Sequence, residues 1–274
     1  MPPVSRTALL AGLPPVGAST PYPASAKVVV LDDDPTGTQT VHGVPVLTTW
    51  DCAGFEAALN EPGPCFYILT NTRAFSAARA SEINREIGEN LAAAAACSGR
   101  PFAIVSRSDS TLRGHYPTET DALAAGLRIN FNGTLIIPAF FAGGRITVED
   151  VHYVADGDTL MPAGETEFAR DKSFGYRASN LCEWVEEKTA GRILAADVLS
   201  ISIRDLRSTG ANYVAQKLVA LPHGGVAVVN AAAPADLAVL THALAAVERT
   251  GRAISFAPQR TSSRPTPALP RDHC

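Results

Sequence analysis

Two hydrophobic rhythms alternate along the chain. Val28-Val29-Val30-Leu31 is a short continuous apolar run, the pattern of a strand buried on both faces. Val44-Pro45-Val46-Leu47 is a second run, and its proline places it near a sheet edge. Phe66-Tyr67-Ile68-Leu69, Phe102-Ala103-Ile104-Val105 and Leu135-Ile136-Ile137 follow, then residues 198–203 and 226–229. Between them apolar residues recur every three or four positions. Ala80, Ile83, Ile87, Leu91 and Ala94 form one helical face, opened by Ser76 as an N-cap and stopped by Gly99. Pro117 marks another helix start ahead of Leu123 and Leu127. Leu181, Trp184 and Val185 form a stripe, as do Val214, Leu218 and Leu221, and Leu237, Leu240, Leu244 and Val247. Trp184 on its stripe reads as core.

Strand–helix alternation predicts an α/β fold with a mostly parallel β-sheet and helices on both faces. The expected layout is an N-terminal arm over 1–26, one α/β domain over 27–256, and a Pro/Arg-rich tail over 257–274 that adds little to a core. Residues 146–172 break the rhythm and read as an irregular excursion, a hairpin at most, decorating the sheet. The arm loosely imitates an export signal, but its apolar stretch is short and prolines interrupt the residues after it. A surface arm on a cytoplasmic protein is the preferred reading.

Composition narrows the class. Of 274 residues, 46% are hydrophobic and 18% charged, which excludes wholesale disorder. A net charge of −4 gives no basic footprint for nucleic acid. No apolar stretch approaches the roughly 20 residues of a membrane span. Five widely spaced cysteines without CxxC, and six histidines without HxxxH spacing, support neither a disulfide framework nor structural zinc. Neither GxxxxGK[ST] nor GxGxxG occurs, so no nucleotide site is identified.

The chemistry gathers where strands end. Asp32-Asp33-Asp34-Pro35-Thr36-Gly37 follows the first run and Thr70-Asn71-Thr72-Arg73 the third. Ser106-Arg107-Ser108-Asp109-Ser110-Thr111-Leu112-Arg113-Gly114 follows the fourth, and Pro138 to Gly143-Gly144-Arg145 follows the fifth. Ligands of open α/β sheets bind at the carboxyl ends of strands. Arginines grip carboxylate or phosphate, and aspartates take protons from hydroxyls. A single arginine would be a solvated surface charge, but four such loops point to a small anionic substrate carrying a reactive hydroxyl. His42 and His115 lie close to these loops, where a ligand contact and a local structural hydrogen bond are equally open.

Asp33-Asp34-Pro35-Thr36-Gly37, Asn71-Thr72-Arg73, Ser108-Asp109-Ser110-Thr111-Leu112-Arg113-Gly114 and Pro138-Ala139-Phe140 through Gly144-Arg145 resemble, in order and separation, the four-carbon acid sugar kinases. That family was formerly a domain of unknown function, and some members are labelled type III effector Hop proteins. The resemblance spans about residues 28–246. It implies a sugar-acid-binding first domain, for a threonate- or erythronate-like compound, and a second domain that binds ATP with Mg2+. The nucleotide-binding domain is expected to be missing from these 274 residues, leaving a chain inactive alone. A separately encoded nucleotide domain and a homo-oligomer are both open as partners. In that reading Asp33 or Asp34 is the catalytic base. Arg73, Arg107, Asp109, Ser110, Thr111, Arg113, Gly114, Gly144 and Arg145 bind substrate, with the Ser110 and Thr111 hydroxyls on substrate hydroxyls. No metal site is expected in this half. The alternatives are a haloacid-dehalogenase-like phosphatase, with Asp32 as nucleophile, Asp34 as acid/base and magnesium as cofactor, or a non-catalytic sugar-acid-binding or effector protein.

Overall fold

The computed structural model describes residues 1–21, 26–35 and 42–251, and the backbone of 254–259. Thr36, Gly37, Thr38, Gln39 and Thr40 of the acidic loop, and the tail beyond Gln259, lie outside the described residues.

An eight-stranded parallel sheet carries the fold. In chain order its strands are β2 (Lys27–Asp32), β3 (Val46–Leu47), β4 (Cys65–Leu69), β5 (Phe102–Arg107), β6 (Gly133–Pro138), β10 (Leu199–Ile201), β11 (Gly225–Val229) and β12 (Ile254–Gln259). Their spatial order is β10-β11-β6-β12-β5-β2-β4-β3. The proline-bearing run is the edge strand β3, as its missing donor requires. Strand β12 enters between β5 and β6 and runs to Gln259. It therefore carries sheet structure three residues past the domain boundary expected at 256.

Helices α2 (Cys52–Asn60), α3 (Ala77–Ser98) and α4 (Thr118–Leu127) pack on Val29, Leu31, Phe66, Ile68 and Ile104. The predicted face of α3 is the one buried: Ala80, Ile83, Ile87, Leu91 and Ala94. Ser76 caps it by accepting from the Arg79 amide, and Gly99 ends it in the left-handed conformation. At the other end, Leu135, Ile137, Ala227 and Val229 pack against α6 (Ala211–Ala220) and α7 (Pro234–Glu248). The alternate residues Ile136, Val226 and Val228 pack against Leu181, Trp184 and Val185 of α5 (Leu181–Lys188).

The excursion is more regular than its sequence indicated. Strands β7 (Arg145–Val148), β8 (Val151–Asp156) and β9 (Thr159–Pro162) form an antiparallel meander. The N-terminal arm completes it: β1 (Val4–Ser5) pairs with β9, and α1 (Arg6–Ala11) follows. Leu9, Leu10 and Leu13 of the arm pack on Ile146, Tyr153 and Leu160. Asp158 anchors the arm by accepting from the Ser5 and Thr7 hydroxyls at 2.7 and 2.6 Å. Neither segment could show this in a local pattern, because each lacks a core until the other covers it.

Candidate functional site

The parallel sheet brings the carboxyl ends of β4, β2, β5 and β6 to one edge. From β2 the chain passes to β4 on one side and then to β5 on the other, so its direction reverses at the β2–β5 junction. Crevices form at such reversals. Asp33 stands at this one.

Asp33 is the hub. Arg73 Nη2 and Nε donate to its two carboxylate oxygens at 2.6 and 3.2 Å, and Ser108 Oγ lies 2.7 Å from Oδ2. Three loops are thereby tied at one carboxylate. Burial pushes the Asp33 carboxyl above its ordinary range, against the pull of Arg73 and Ser108. Burial alone would lower Arg73, but its hydrogen bonds and attraction to Asp33, then Asp109 and Asp34, hold it above its ordinary value. Asp34 differs: its side chain is 28% exposed against 4% for Asp33, and Arg73 Nη1 lies 3.5 Å away.

Gly114 makes the junction possible. It sits at φ +149°, and a β-carbon there would lie 2.1 Å from Ser108 Oγ and 3.6 Å from Asp33 Oδ2. Its role is room for the Ser108 hydroxyl. Gly144, at φ +70°, similarly faces the Ala155 methyl at 2.6 Å.

Arg113 and Arg145 come from different strand-end loops and meet at Phe168. Their guanidinium carbons lie 5.1 and 5.9 Å from its ring centroid, within cation–π range. Asp109 accepts from Arg113 Nε at 2.6 Å, and Asp171 is 3.8 Å from Nη1. Phe168 and Asp171 belong to the region read as decoration. Its short helical turn instead forms one wall of the site.

Three predicted site residues are placed differently. Arg107 is 7% exposed and pairs with Asp32 at 3.3 Å. Both residues align across the β2–β5 ladder on the face away from Val29 and Leu31, whereas Asp33 turns towards Arg73 and Ser108. Strand alternation thus turns Arg107 to the face opposite Ser108. Burial also pushes Asp32 up to about 6, against the pull of Arg107. Ser110 and Thr111 are buried, and the Thr111 hydroxyl bonds Asp109. The Thr111 hydroxyl is thus turned to its own loop.

That loop is pinned from outside. His152 Nε2 lies 2.8 Å from the Ser110 carbonyl, which can only accept, so Nε2 carries the hydrogen. Nδ1 then accepts from the Thr147 hydroxyl at 2.9 Å. Burial lowers His152 to about 4, keeping the imidazole neutral. Tyr176 donates to the Thr111 carbonyl at 2.7 Å. His115 packs edge-on to Phe174 with Nε2 against the Thr72 and Phe75 carbonyls, a structural role. His42 is exposed.

Glu119 carried no sequence signal beyond its place just inside the helix that Pro117 announces. It is buried, its carboxyl is hydrogen-bonded to the Thr72 hydroxyl, and it is pushed up to about 7 by burial and then by Asp33. A cavity of about 20 Å³, room for one water, lies between Ser106, Ser108, Tyr116, Glu119 and Trp184. A wider hollow of about 440 Å³ beside Lys27, Pro64 and Arg100 is at the amino ends of β2, β4 and β5, away from the loops described.

The profile of the sugar-binding N-terminal domain family matches residues 28–259. The chain belongs to that family. This bears out the resemblance to the four-carbon acid sugar kinases. A D-erythronate kinase from Heliobacterium modesticaldum is 27% identical over 223 residues, covering 79% of this chain and 48% of the relative. Two crystal structures share the fold. One is a Bordetella bronchiseptica protein with bound citrate, a domain-swapped dimer, at TM-score 0.62 and 21% identity, covering 86% of this chain and 55% of the other. The second is a Haemophilus influenzae protein at TM-score 0.58 and 20% identity, covering 85% and 53%. The chain spans about half the length of these relatives.

Proposed function

We propose that the chain is the sugar-acid-binding half of an ATP-dependent kinase acting on a four-carbon acid sugar of the threonate or erythronate type. The observation that carries this reading is the paired stacking of Arg113 and Arg145 on Phe168, across from the Asp33–Arg73 pair at the same sheet edge. A carboxylate suits the first pair and a hydroxyl suits the aspartates.

Asp34 is the base in this reading. Both oxygens of Asp33 are engaged and its side chain is nearly closed off, so it organises the loops. The more exposed Asp34, held near Arg73, takes the proton from the acceptor hydroxyl. Arg73 then faces the negative charge that gathers as phosphate arrives.

ATP with Mg2+ supplies the phosphoryl group in this family architecture. Among the described residues no group of three or more His, Cys, Asp or Glu side chains could hold a metal ion. The reading assigns nucleotide and metal to the nucleotide-binding half of that family architecture, on a partner or on a longer chain. The phosphatase alternative fits poorly, because its nucleophile Asp32 is 2% exposed and paired with Arg107.

Calorimetry with D-threonate, D-erythronate and L-threonate tests the binding half. Saturable binding of at least one, weakened by Arg113→Ala and by Arg145→Ala, is expected. Flat titrations of folded protein with all three would overturn the reading. An ADP-release assay on the same protein should show little turnover, since positioning the reactants is worth about 7–11 kcal/mol and a general base only about 10²–10⁴-fold.

A further inference from the structure

The floor of the site holds a chain of oxygen contacts whose hydrogens can be counted. Thr70 Oγ1 lies 3.0 Å from the Asp32 carbonyl, Thr70 Oγ1 and Thr72 Oγ1 are 3.0 Å apart, and Thr72 Oγ1 bonds Glu119. These are three contacts, and the two hydroxyls provide two hydrogens. The Asp32 carbonyl can only accept; it already takes the Thr70 amide at 2.9 Å, and the Thr70 hydroxyl hydrogen can go to it or to Thr72. If Glu119 is a carboxylate it also can only accept, and the Thr72 hydrogen goes to it. One of the two 3.0 Å contacts made by Thr70 Oγ1 is then left with no hydrogen between its oxygens. If Glu119 carries a proton, every link is filled. Glu119 donates to Thr72, Thr72 to Thr70, and Thr70 to the Asp32 carbonyl.

We propose that Glu119 is a positioning residue that works as a neutral carboxylic acid, donating into the Thr72–Thr70 hydroxyl chain. The chain fastens α4 to the end of β4, just before Arg73, and to the end of β2, just before Asp33. It sets the spacing of the two loops that meet in the Arg73–Asp33 pair. It does so without a second negative charge behind Asp33, which would compete for Arg73.

The surroundings agree. The small cavity beside the carboxyl is lined by Ser106, Ser108 and Tyr116, and burial pushes the Tyr116 phenol up, so it stays neutral. Asp33 is the charged neighbour and raises its affinity for a proton. From α3 comes uncharged Asn84, whose Nδ2 is 3.4 Å from Oε1 and 2.9 Å from the Ala80 carbonyl. His115, ahead of α4, accepts the Glu119 amide at its carbonyl and turns its ring to the Thr72 and Phe75 carbonyls. The first turn of a helix favours an anion, but burial and Asp33 oppose it and outweigh it. Ionisation would remove one hydrogen from the chain and place a charge behind Asp33. The proposal rests on the Asp33–Arg73 edge being the binding edge only for its consequence on ligand affinity; the protonation state itself is independent of any ligand.

Glu119→Gln tests it, since a carboxamide also donates to Thr72 and cannot ionise. Urea unfolding of wild type and Glu119→Gln would be followed from pH 4 to 9. A group protonated in the fold with a raised pKa gives stability that is complete below its unfolded pKa and lost as pH rises through the folded one. Wild type should therefore lose ground to Glu119→Gln between about pH 4.5 and 7, and the gap should level off above. The opposite slope, or a flat difference, would overturn the proposal, as would a Glu119→Gln chain that cannot fold. Infrared difference spectra of wild type at pH 6 should also contain a protonated-carboxyl band that Glu119→Gln lacks. Absence of that band would overturn it. Sugar-acid affinity at pH 6 should be kept in Glu119→Gln and lost at least tenfold in Glu119→Ala. Equal losses in both would overturn the positioning role. If no variant and no wild type bound sugar acid, the functional reading would fail while the unfolding result stood.

Discussion

Arg73 holds Asp33 through both of its carboxylate oxygens, at 2.6 and 3.2 Å, and reaches Asp34 with its remaining nitrogen at 3.5 Å. One guanidinium thus serves two adjacent aspartates with different duties. Removing the buried partner leaves an uncompensated charge, whereas removing the exposed one does not. Asp33→Ala should cost about 3 kcal/mol of stability, at the low end for a buried pair because Arg73 is partly exposed. Asp34→Asn should stay within about 1 kcal/mol of wild type. Chemical denaturation of both variants checks the division; equal losses would remove Asp33 from its organising role.

Phe168 keeps two like charges side by side. Each cation–π contact is worth about 0.5–1 kcal/mol at a partly exposed site. Phe168→Ala should therefore weaken sugar-acid binding by about tenfold, near 1.4 kcal/mol, and Phe168→Tyr should restore it. Titration calorimetry of the two variants is the measurement. An unchanged affinity in Phe168→Ala would show that the arginines do not need the ring.

His152 makes the fold sensitive to acid. Its neutral ring bonds the Ser110 carbonyl, and its pKa falls from the ordinary 6.5 to about 4 by burial. A depressed folded pKa means that the stability is present above pH 6.5 and is lost as pH falls towards 4. The shift corresponds to roughly 3 kcal/mol. Between pH 7 and pH 4 wild type should lose about that much more than His152→Gln in urea unfolding. Parallel losses would show that the ring is not held neutral.

Strands and helices were legible wherever burial is one-sided or complete, because the period of apolar residues then reports the packing directly. Residues 80, 83, 87, 91 and 94 are one face in sequence and one face in space. The aspartate and arginine loops were legible because a parallel sheet puts every strand end on one edge. Side-chain direction at that edge was not. Arg107 and Ser108 are neighbours in sequence, yet one pairs with Asp32 and the other with Asp33, because alternation at the end of β5 sends them to different faces. Glu119, Phe168 and His152 reach the site through tertiary packing. Nothing in their own surroundings in sequence distinguishes them from a helix surface acid, a loop aromatic or a core histidine.

Gly114 offers the sharpest test of the junction, because backbone strain and side-chain crowding can be separated there. At φ +149° an alanine is strained whatever its neighbours, and such substitutions cost more than about 1 kcal/mol. Its methyl would also meet Ser108 Oγ at 2.1 Å and Ser108 Cβ at 3.3 Å. The hydroxyl must then swing away, and Asp33 loses the contact now at 2.7 Å. Ser108→Ala alone also loses that contact but meets no clash. In Gly114→Ala/Ser108→Ala the hydroxyl that the methyl would strike is gone, while the backbone strain remains. The double variant should therefore be more stable than the sum of the two singles predicts, by about 1 kcal/mol or more, the range of residues that share a contact. Denaturation of the four chains of this cycle measures the coupling. Strict additivity would mean that Gly114 is needed only for its backbone angle, and not for the space in which Ser108 joins the aspartate loop to the arginine loop.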